Sequence, residues 1–458
     1  MPLPKHVPLG NTIIWRLVFM TSACLAYVSP TLAADGDVSR HFFKIADLID
    51  QEYPSLRDLY LHLHSHPELS FHEEKTSQRL ASELGQLGFQ VTQRVGGFGV
   101  VGVFQNGNGP TVMMRTDMDA LPVSEETGVP YASQVKTTDD NGNEVYVMHA
   151  CGHDVHMTVW TGTARLLVEM KEEWKGTLIA IAQPAEERGA GAKAMLGDGL
   201  YRRFPRPDYA LALHCDAGLP AGQIGYREGF AMANVDSVDI TVRGYGGHGA
   251  YPHRTKDPVV IAAQIVVALQ TIVSREVPPV EPAVITVGSI HGGTKHNIIP
   301  NEVKLQLTVR SYADSVRDLL LTSIDRVCQG VAQAAGVPDE LCPIVEVLEE
   351  FTPSTYNAPE LVDRTTMVMR RLLGDQHVVR LEQKTWGEDF GRYGRVEPRV
   401  PIFMFTLGTV PRSAYLASQK PGARPLPSLH SSLFAPDYEP TIKTGVKAMT
   451  ASVLELLD

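Results

Sequence analysis

The sequence predicts an α/β protein, a mostly parallel sheet with helices on both faces, interrupted by an inserted α+β unit of ferredoxin-like layout. Three observations carry this. Four short runs, 111–114, 177–182, 209–213 and 402–407, are apolar on both faces, the pattern of strands buried within a parallel sheet. From about 236 to 345 the texture changes to a compact strand–helix–strand–strand–helix alternation. The chain's 458 residues also exceed what one ordinary core supports, so two cores are expected.

Taken in order, the first residues read as an address. Lys5 and Arg16 precede an apolar run over 17–28, and Leu32-Ala33-Ala34 offers a small-residue cleavage site, so residues 1–34 read as a secretory signal and the mature chain as secreted or periplasmic. Retention of this segment as a membrane anchor is the alternative, and Cys24 lacks the aliphatic context usual for lipidation, since Thr21 stands there. Cleavage removes two positive charges and no acid, taking the net charge from −11 to −13. A chain this acidic argues against nucleic acid as a partner, and nothing in the mature sequence calls for stable membrane association. An oxidising compartment leaves room for one disulfide, with Cys328 and Cys342 as candidates.

Residues 41–87 carry Leu56, Leu59, Leu63, Leu80 and Leu84 at helical spacing, which predicts two helices, the second ending near Gly85 and Gly88. Between them, Pro67 marks a helix exit, where His64 and His66 are expected as surface imidazoles. Within the insertion, strands are expected over 238–242, 283–290 and 304–310, and helices over 258–273 and 316–335. This is the order of a split βαβ layout with two helices on one face of an antiparallel sheet. A helix over 359–373 then resumes the first domain. The expected organisation is a signal over 1–34, a first domain built from 35–235 and 347–458, and an inserted domain over 236–346.

The chemistry concentrates in Met148-His149-Ala150-Cys151-Gly152-His153-Asp154-Val155-His156. Cys151 and His153 flank a glycine that permits a tight turn, so a thiolate and a ring nitrogen can converge on one metal ion. No other cysteine forms a close pair, so any further ligands must come from distant segments, as in an enzyme site. The predicted strands supply candidates: the first leads into Asp117, the second into Glu186-Glu187, and the third into His214. Strand carboxyl ends are where sites assemble in open α/β sheets. Adjacent glutamates beyond a strand tend to point apart, so one can bind metal while its neighbour serves as base. A cysteine nucleophile is the rival reading of Cys151, but it leaves the glutamate pair without work.

Seven motifs in order resemble the M20-family metallopeptidases of the amidohydrolase branch, which includes aminoacylases, hippurate hydrolases and auxin-conjugate hydrolases. They are Arg115-Thr-Asp-Met-Asp-Ala-Leu-Pro122, Met148-His-Ala-Cys-Gly-His-Asp154, Gln183-Pro-Ala-Glu-Glu187, Gly246-Gly-His-Gly-Ala-Tyr-Pro-His253, Asn297-Ile-Ile-Pro300, Glu388-Asp-Phe390 and His430. The resemblance implies two divalent ions (Zn, Mn, Co or Ni) held by Cys151, His153, Glu187, His214 and His430, with Glu186 as the general base. The broader family has a histidine where Arg115 stands, which makes Asp117 a residue behind the ligands. It further implies that the insertion is a lid and dimerisation domain. There His248 would donate to the scissile carbonyl, often across a homodimer, and Asn297 and Arg310 would bind the substrate's carboxylate region. The expected activity is cleavage of N-acyl amino acids, with a metallo-carboxypeptidase or dipeptidase as the alternative and a catalytically silent peptide-binding protein as a remote third.

Overall fold

The computed structural model describes residues 34–349 and 351–458. The expected signal lies outside them, apart from Ala34, which opens helix Ala34–Ser65. The main sheet has eight strands, in the order Gln90–Val95, Gly99–Asn106, Gly176–Gln183, Thr111–Asp117, Tyr209–Pro220, Ile402–Val410, Ile224–Tyr226 and Val378–Arg380. Its middle four strands run parallel and are the four runs that are apolar on both faces. The strands outside them depart from that order: the first two pair antiparallel, and Ile224–Tyr226 pairs antiparallel with Ile402–Val410.

Alternation along each central strand divides the core in two. Val112, Met114, Leu178, Ala180, Leu211, Leu213, Phe403 and Phe405 face a layer that includes helices Ala34–Ser65, His153–Glu169 and Tyr438–Leu457. Met113, Ile179, Ile181, Ala210, Ala212 and Met404 face the opposite layer, which holds Ala192, Met195, Phe390 and Tyr393. Each fully buried Leu or Phe contributes about 1.5–3 kcal/mol relative to exposure, so both layers hold the strand ends rigidly in place.

The insertion forms a second sheet, ordered Val284–Gly292, Glu302–Ser311, Asn234–Arg243 and Ile344–Val347, antiparallel throughout. Helices Pro258–Thr271 and Asp314–Ala334 both pack on the face made by Val238, Ile240, Val242, Leu305, Leu307 and Val309, in a core separate from the other two. The first of them starts at Pro258, with Asp257 accepting the Val259 N–H as a cap. The opposite face of the sheet carries Ser237, Thr308, Val235 and Arg310 as cross-strand partners.

Two expectations are corrected. Cys328 and Cys342 are free thiols. Cys328 shares the inner stripe of its helix with Leu320, Ile324 and Ala332 and points into the core, while Cys342 sits in the loop before Ile344–Val347. His66 is exposed as expected, but His64 is buried. Its Nδ1 lies 2.7 Å from Asp154 Oδ2 and its Nε2 3.2 Å from Glu125 Oε1, so the helix exit turns this imidazole inward onto two carboxylates.

Candidate metal centre

A helix start (Cys151 and His153), the loop after Gly176–Gln183 (Glu187), the strand Tyr209–Pro220 (His214) and a turn (His430) deliver the donors to one place. Gly152 caps helix His153–Glu169 with φ 81°, and a Cβ there would lie 2.8 Å from Cys215 Sγ, so only glycine fits between Cys151 and His153. Cys151 Sγ lies 3.6 Å from His214 Nε2 and 3.3 Å from His430 Nε2. His430 Nε2 is 3.5 Å from Glu187 Oε2, and His153 Nε2 is 3.8 Å from Glu187 Oε1 and from Glu186 Oε2. Two donor sets share the Cys151 thiol: Cys151–His153–His214 and Cys151–Glu187–His430, each with ligand atoms within 4.8 Å of one another. His430 stands in the left-handed region, φ 66°, held by its N–H to Ala150 O at 2.8 Å. Ala185, just before the glutamate pair, is also left-handed at φ 51°. Strain of this kind persists only where the surroundings over-determine it.

The donor set fits two divalent cations. His153 Nδ1 donates to Asp119 O and His214 Nδ1 to Cys215 O, both at 2.8 Å, which directs Nε2 of each ring at the cluster. His153 Nε2 and Glu187 Oε1 are buried without any hydrogen-bond partner, an arrangement that is costly unless a cation sits between them. Burial pulls the His153 ring down, but Asp117, Asp119 and Glu187 outweigh it and hold it at about 10, so the spot favours positive charge. Burial raises Glu187 to about 7. Burial, followed by the Glu187 and Glu186 carboxylates, pushes the Cys151 thiol well up, the reverse of what a free thiolate nucleophile needs. Glu186 is pushed up by burial and then by Glu388, Glu187 and Asp389.

Behind these donors lies a buried network anchored by Arg115. Its guanidinium donates to Asp117 Oδ2 at 2.6 Å, Glu388 Oε1 at 2.9 Å, Asp389 Oδ1 at 3.2 Å and, through Nε, Gln183 Oε1 at 3.1 Å. Asp117 Oδ1 accepts from His156 Nδ1 at 2.7 Å, and His156 Nε2 accepts the Cys215 N–H at 2.8 Å. Both Asp117 oxygens and both His156 nitrogens are therefore engaged, which leaves them behind the donor cluster as supports. Trp386 meets the His214 ring edge-on at 4.8 Å between centroids. Sequence reasoning singled out Arg115 and 388–389 as motif residues without a structural role for either, and it missed Asp119 and His156 as supports. The spacing of His153 and His156, one helical turn apart, was the available signal for the last.

A cavity of about 990 Å³ opens over the cluster, lined by Cys151, Glu186, Glu187, His214 and His430 and, from the insertion, by Val235, Ser237 and Arg310. Arg310 reaches it because residues 303, 305, 307 and 309 take the covered face of their strand and the even positions take the other. Its Nε donates to Thr308 Oγ1 at 3.0 Å, and no carboxylate among the described residues pairs with it. His248 and Asn297 do not line this cavity. They lie together, exposed, on the ribbon formed by Gly247–His248 and Ile298–Ile299, with Gly249 N–H donating to Asn297 O at 2.9 Å.

These donors, a glutamate beside them and a roomy cavity define a metal-dependent hydrolase acting on amide bonds, and the comparisons agree. Residues 113–422 match the model of peptidase family M20/M25/M40, and the chain belongs to that family. It is 38% identical over 390 residues to thermostable carboxypeptidase 2 of Saccharolobus solfataricus, covering 84% of this chain and 91% of the relative. It is 37% identical over 319 residues to the hippurate hydrolase of Campylobacter jejuni, covering 69% of this chain and 78% of the relative. Among solved structures, a dinuclear metal-binding peptidase of family M20 from Bacillus subtilis aligns with a TM-score of 0.71 at 28% identity, covering 89% of this chain and 99% of that one.

Proposed function

We propose that this protein is a dinuclear amidohydrolase that removes the acyl group from N-acyl amino acids. The observation that carries the substrate class is Arg310, a part-buried guanidinium without a carboxylate partner among the described residues, which lines the same cavity as Cys151, Glu187 and His430. A planar fork of this kind takes a carboxylate in two parallel hydrogen bonds. It would seat a free α-carboxylate and leave the neighbouring amide facing the metal donors. The hippurate hydrolase relative supports an N-acyl amino acid.

Cys151, His153, Glu187, His214 and His430 would hold the ions, for which Zn, Mn, Co and Ni all suit mixed thiolate, imidazole and carboxylate donors. When bound, they supply Lewis acidity that polarises the amide carbonyl and eases deprotonation of water. Glu186, not needed as a ligand, accepts a proton from the attacking water and returns it to the leaving nitrogen, a shuttle typically worth about 10²–10⁴-fold. Asn297, exposed beside His248 and outside its own chain's cavity, would assist with the carboxylate region of a partner's site from the same ribbon. His248 donates to the carbonyl oxygen as charge gathers there, and its exposed place outside its own chain's cavity supports donation into a partner's site across a homodimer. Val260 and Val267, exposed on helix Pro258–Thr271, supply an apolar surface for such pairing. The secretory reading of residues 1–34 assigns the enzyme to an exported compartment.

The carboxypeptidase relatives favour a second reading, in which the same carboxylate anchor serves short peptides. Hydrolysis across N-acetyl, N-benzoyl and long-chain N-acyl amino acids, with dipeptides alongside, separates the two. Faster turnover of dipeptides than of every N-acyl amino acid would overturn the first reading. Activity should vanish in phenanthroline and return with added divalent metal, and activity that survives full metal removal would overturn both.

A further inference from the structure

The segment Ser70-Phe71-His72-Glu73 has no part in the reading above, yet it braces both strand-end loops of the site. Glu73 is fully buried, and its Oε1 accepts the N–H of Ala185 at 2.8 Å and that of Phe71 at 2.9 Å. Phe71 is itself left-handed, φ 62°, which folds the segment back so that Glu73 reaches the loop. Two residues further along that loop, the Glu187 N–H donates to Asp119 Oδ2 at 3.0 Å, and Ser70 Oγ donates to the same oxygen at 2.7 Å. The backbone groups on either side of Glu186 are thus each held by a buried carboxylate, one belonging to this segment and the other hydrogen-bonded to it.

What the loop does with that support is visible in where the two glutamates go. Both carboxylates lie 3.8 Å from His153 Nε2, and beyond that shared neighbour they diverge: Glu187 gathers with Cys151 and His430, and Glu186 with Glu388 and Asp389. The divergence follows a left-handed turn at Ala185, a conformation an L-residue adopts only at a cost in free energy. The Ala185 N–H is the group that such a turn leaves in need of an acceptor in a buried site. We infer that Glu73 is a positioning residue for hydrolysis: its carboxylate oxygen holds Ala185 in the left-handed turn that sends Glu186 and Glu187 in different directions. This rests on the reading in which Glu187 binds metal and Glu186 handles the proton.

The test uses the full metal-loaded chain, with metal content measured in every variant, and the best amide substrate of the unmodified enzyme. Glu73→Gln keeps an oxygen acceptor and should hold kcat within about threefold. Glu73→Ala should lower kcat at least tenfold, with KM and metal content nearly unchanged. Glu73→Asp, which keeps the carboxyl group but withdraws its oxygen, should resemble Ala more than Gln. Adding Ala185→Gly to Glu73→Ala should recover about fivefold or more, because glycine enters the left-handed region without penalty. Hydrogen exchange at the Ala185 amide gives a readout apart from activity: protection should fall at least tenfold in Glu73→Ala and persist in Glu73→Gln. Equal impairment in Gln and Ala, absence of rescue by glycine, or unchanged protection at Ala185 in Glu73→Ala would each overturn the assignment. Should Glu73→Ala not fold, the Gln and Asp pair decides, and Asp as active as Gln refutes it. Failure of the functional reading would show separately, as an unmodified enzyme inactive on every amide, and the exchange experiment would still stand.

Discussion

His64 makes a prediction about stability that the structure quantifies. Both its ring nitrogens face carboxylates, Nδ1 to Asp154 and Nε2 to Glu125, so each must carry a proton to donate and the pair of contacts calls for imidazolium. Burial pulls the ring down, while the hydrogen bonds and charges of Asp154 and Glu125 outweigh it and hold the ring at about 9. Relative to about 6.5 in an unfolded chain, that separation corresponds to roughly 3 kcal/mol. The raised folded value sets the sign: the stabilisation is fully present below pH 6.5, shrinks by about 1.4 kcal/mol per unit above it, and is gone once the pH passes about 9. Equilibrium urea unfolding of the unmodified chain and of His64→Gln, at pH 6, 7.5 and 9.5, reads this contribution, because groups away from His64 and its two carboxylate partners titrate alike in both proteins. The gap between the two proteins should be widest at pH 6 and narrow by roughly 3 kcal/mol at pH 9.5. A gap that stays constant across this range would show His64 to be neutral in the folded protein and refute the argument.

Glu186→Gln should reduce turnover by about 10² or more with metal content unchanged, as measured by steady-state kinetics and elemental analysis; loss of metal would mean the two glutamates have exchanged roles. Glu187→Gln, Cys151→Ser and His430→Ala should each lower metal occupancy and activity together, and full occupancy in all three would dismantle the ligand set. Arg310→Lys should raise KM for substrates with a free carboxylate and hardly affect the corresponding esters or amides, since lysine cannot reproduce the planar fork; equal effects on both would reduce Arg310 to a strand residue. If His248 serves the neighbouring subunit, mixing inactive His248→Ala with inactive Glu186→Gln should restore part of the activity after subunit exchange, and no recovery would place donor and base in the same chain.

How far the sequence could be read depended on whether the decisive contacts were local. The four central strands were legible because burial on both faces leaves an unbroken apolar run, and their ends then located Asp117, Glu186, Glu187 and His214. Cys151 and His153 were legible from a glycine-centred turn. The strands Gln90–Val95 and Ile344–Val347 were not: polar residues fill the exposed positions of the first, and the second is only four residues long, with a glutamate inside it and Ile344 and Val347 left exposed. His64 was misjudged because its partners lie 61 and 90 residues away, where a helix-exit argument cannot see them. The anchoring role of Arg115 is more distant still, since two of its acceptors come 273 and 274 residues later. The exposed placement of His248 and Asn297 also lay beyond sequence reasoning, which assigns a residue to a strand but not to a cavity.

The position of Ile402–Val410 bears on how the molecule is made. This strand lies inside the main sheet, between Tyr209–Pro220 and Ile224–Tyr226, yet it is the last of the eight to leave the ribosome. Until it arrives, Tyr209–Pro220 presents an open, apolar edge, and Arg115 lacks Glu388 and Asp389. A chain synthesised from its amino end therefore cannot close its central sheet before residue 410, nor complete the ring of acceptors around Arg115 before residue 389. The inserted unit, with its own core from residues earlier in the chain, is complete by then. Slow closure through contacts far apart in sequence is the expected kinetic signature, and the interval before it is when the nascent chain is most prone to edge-to-edge association.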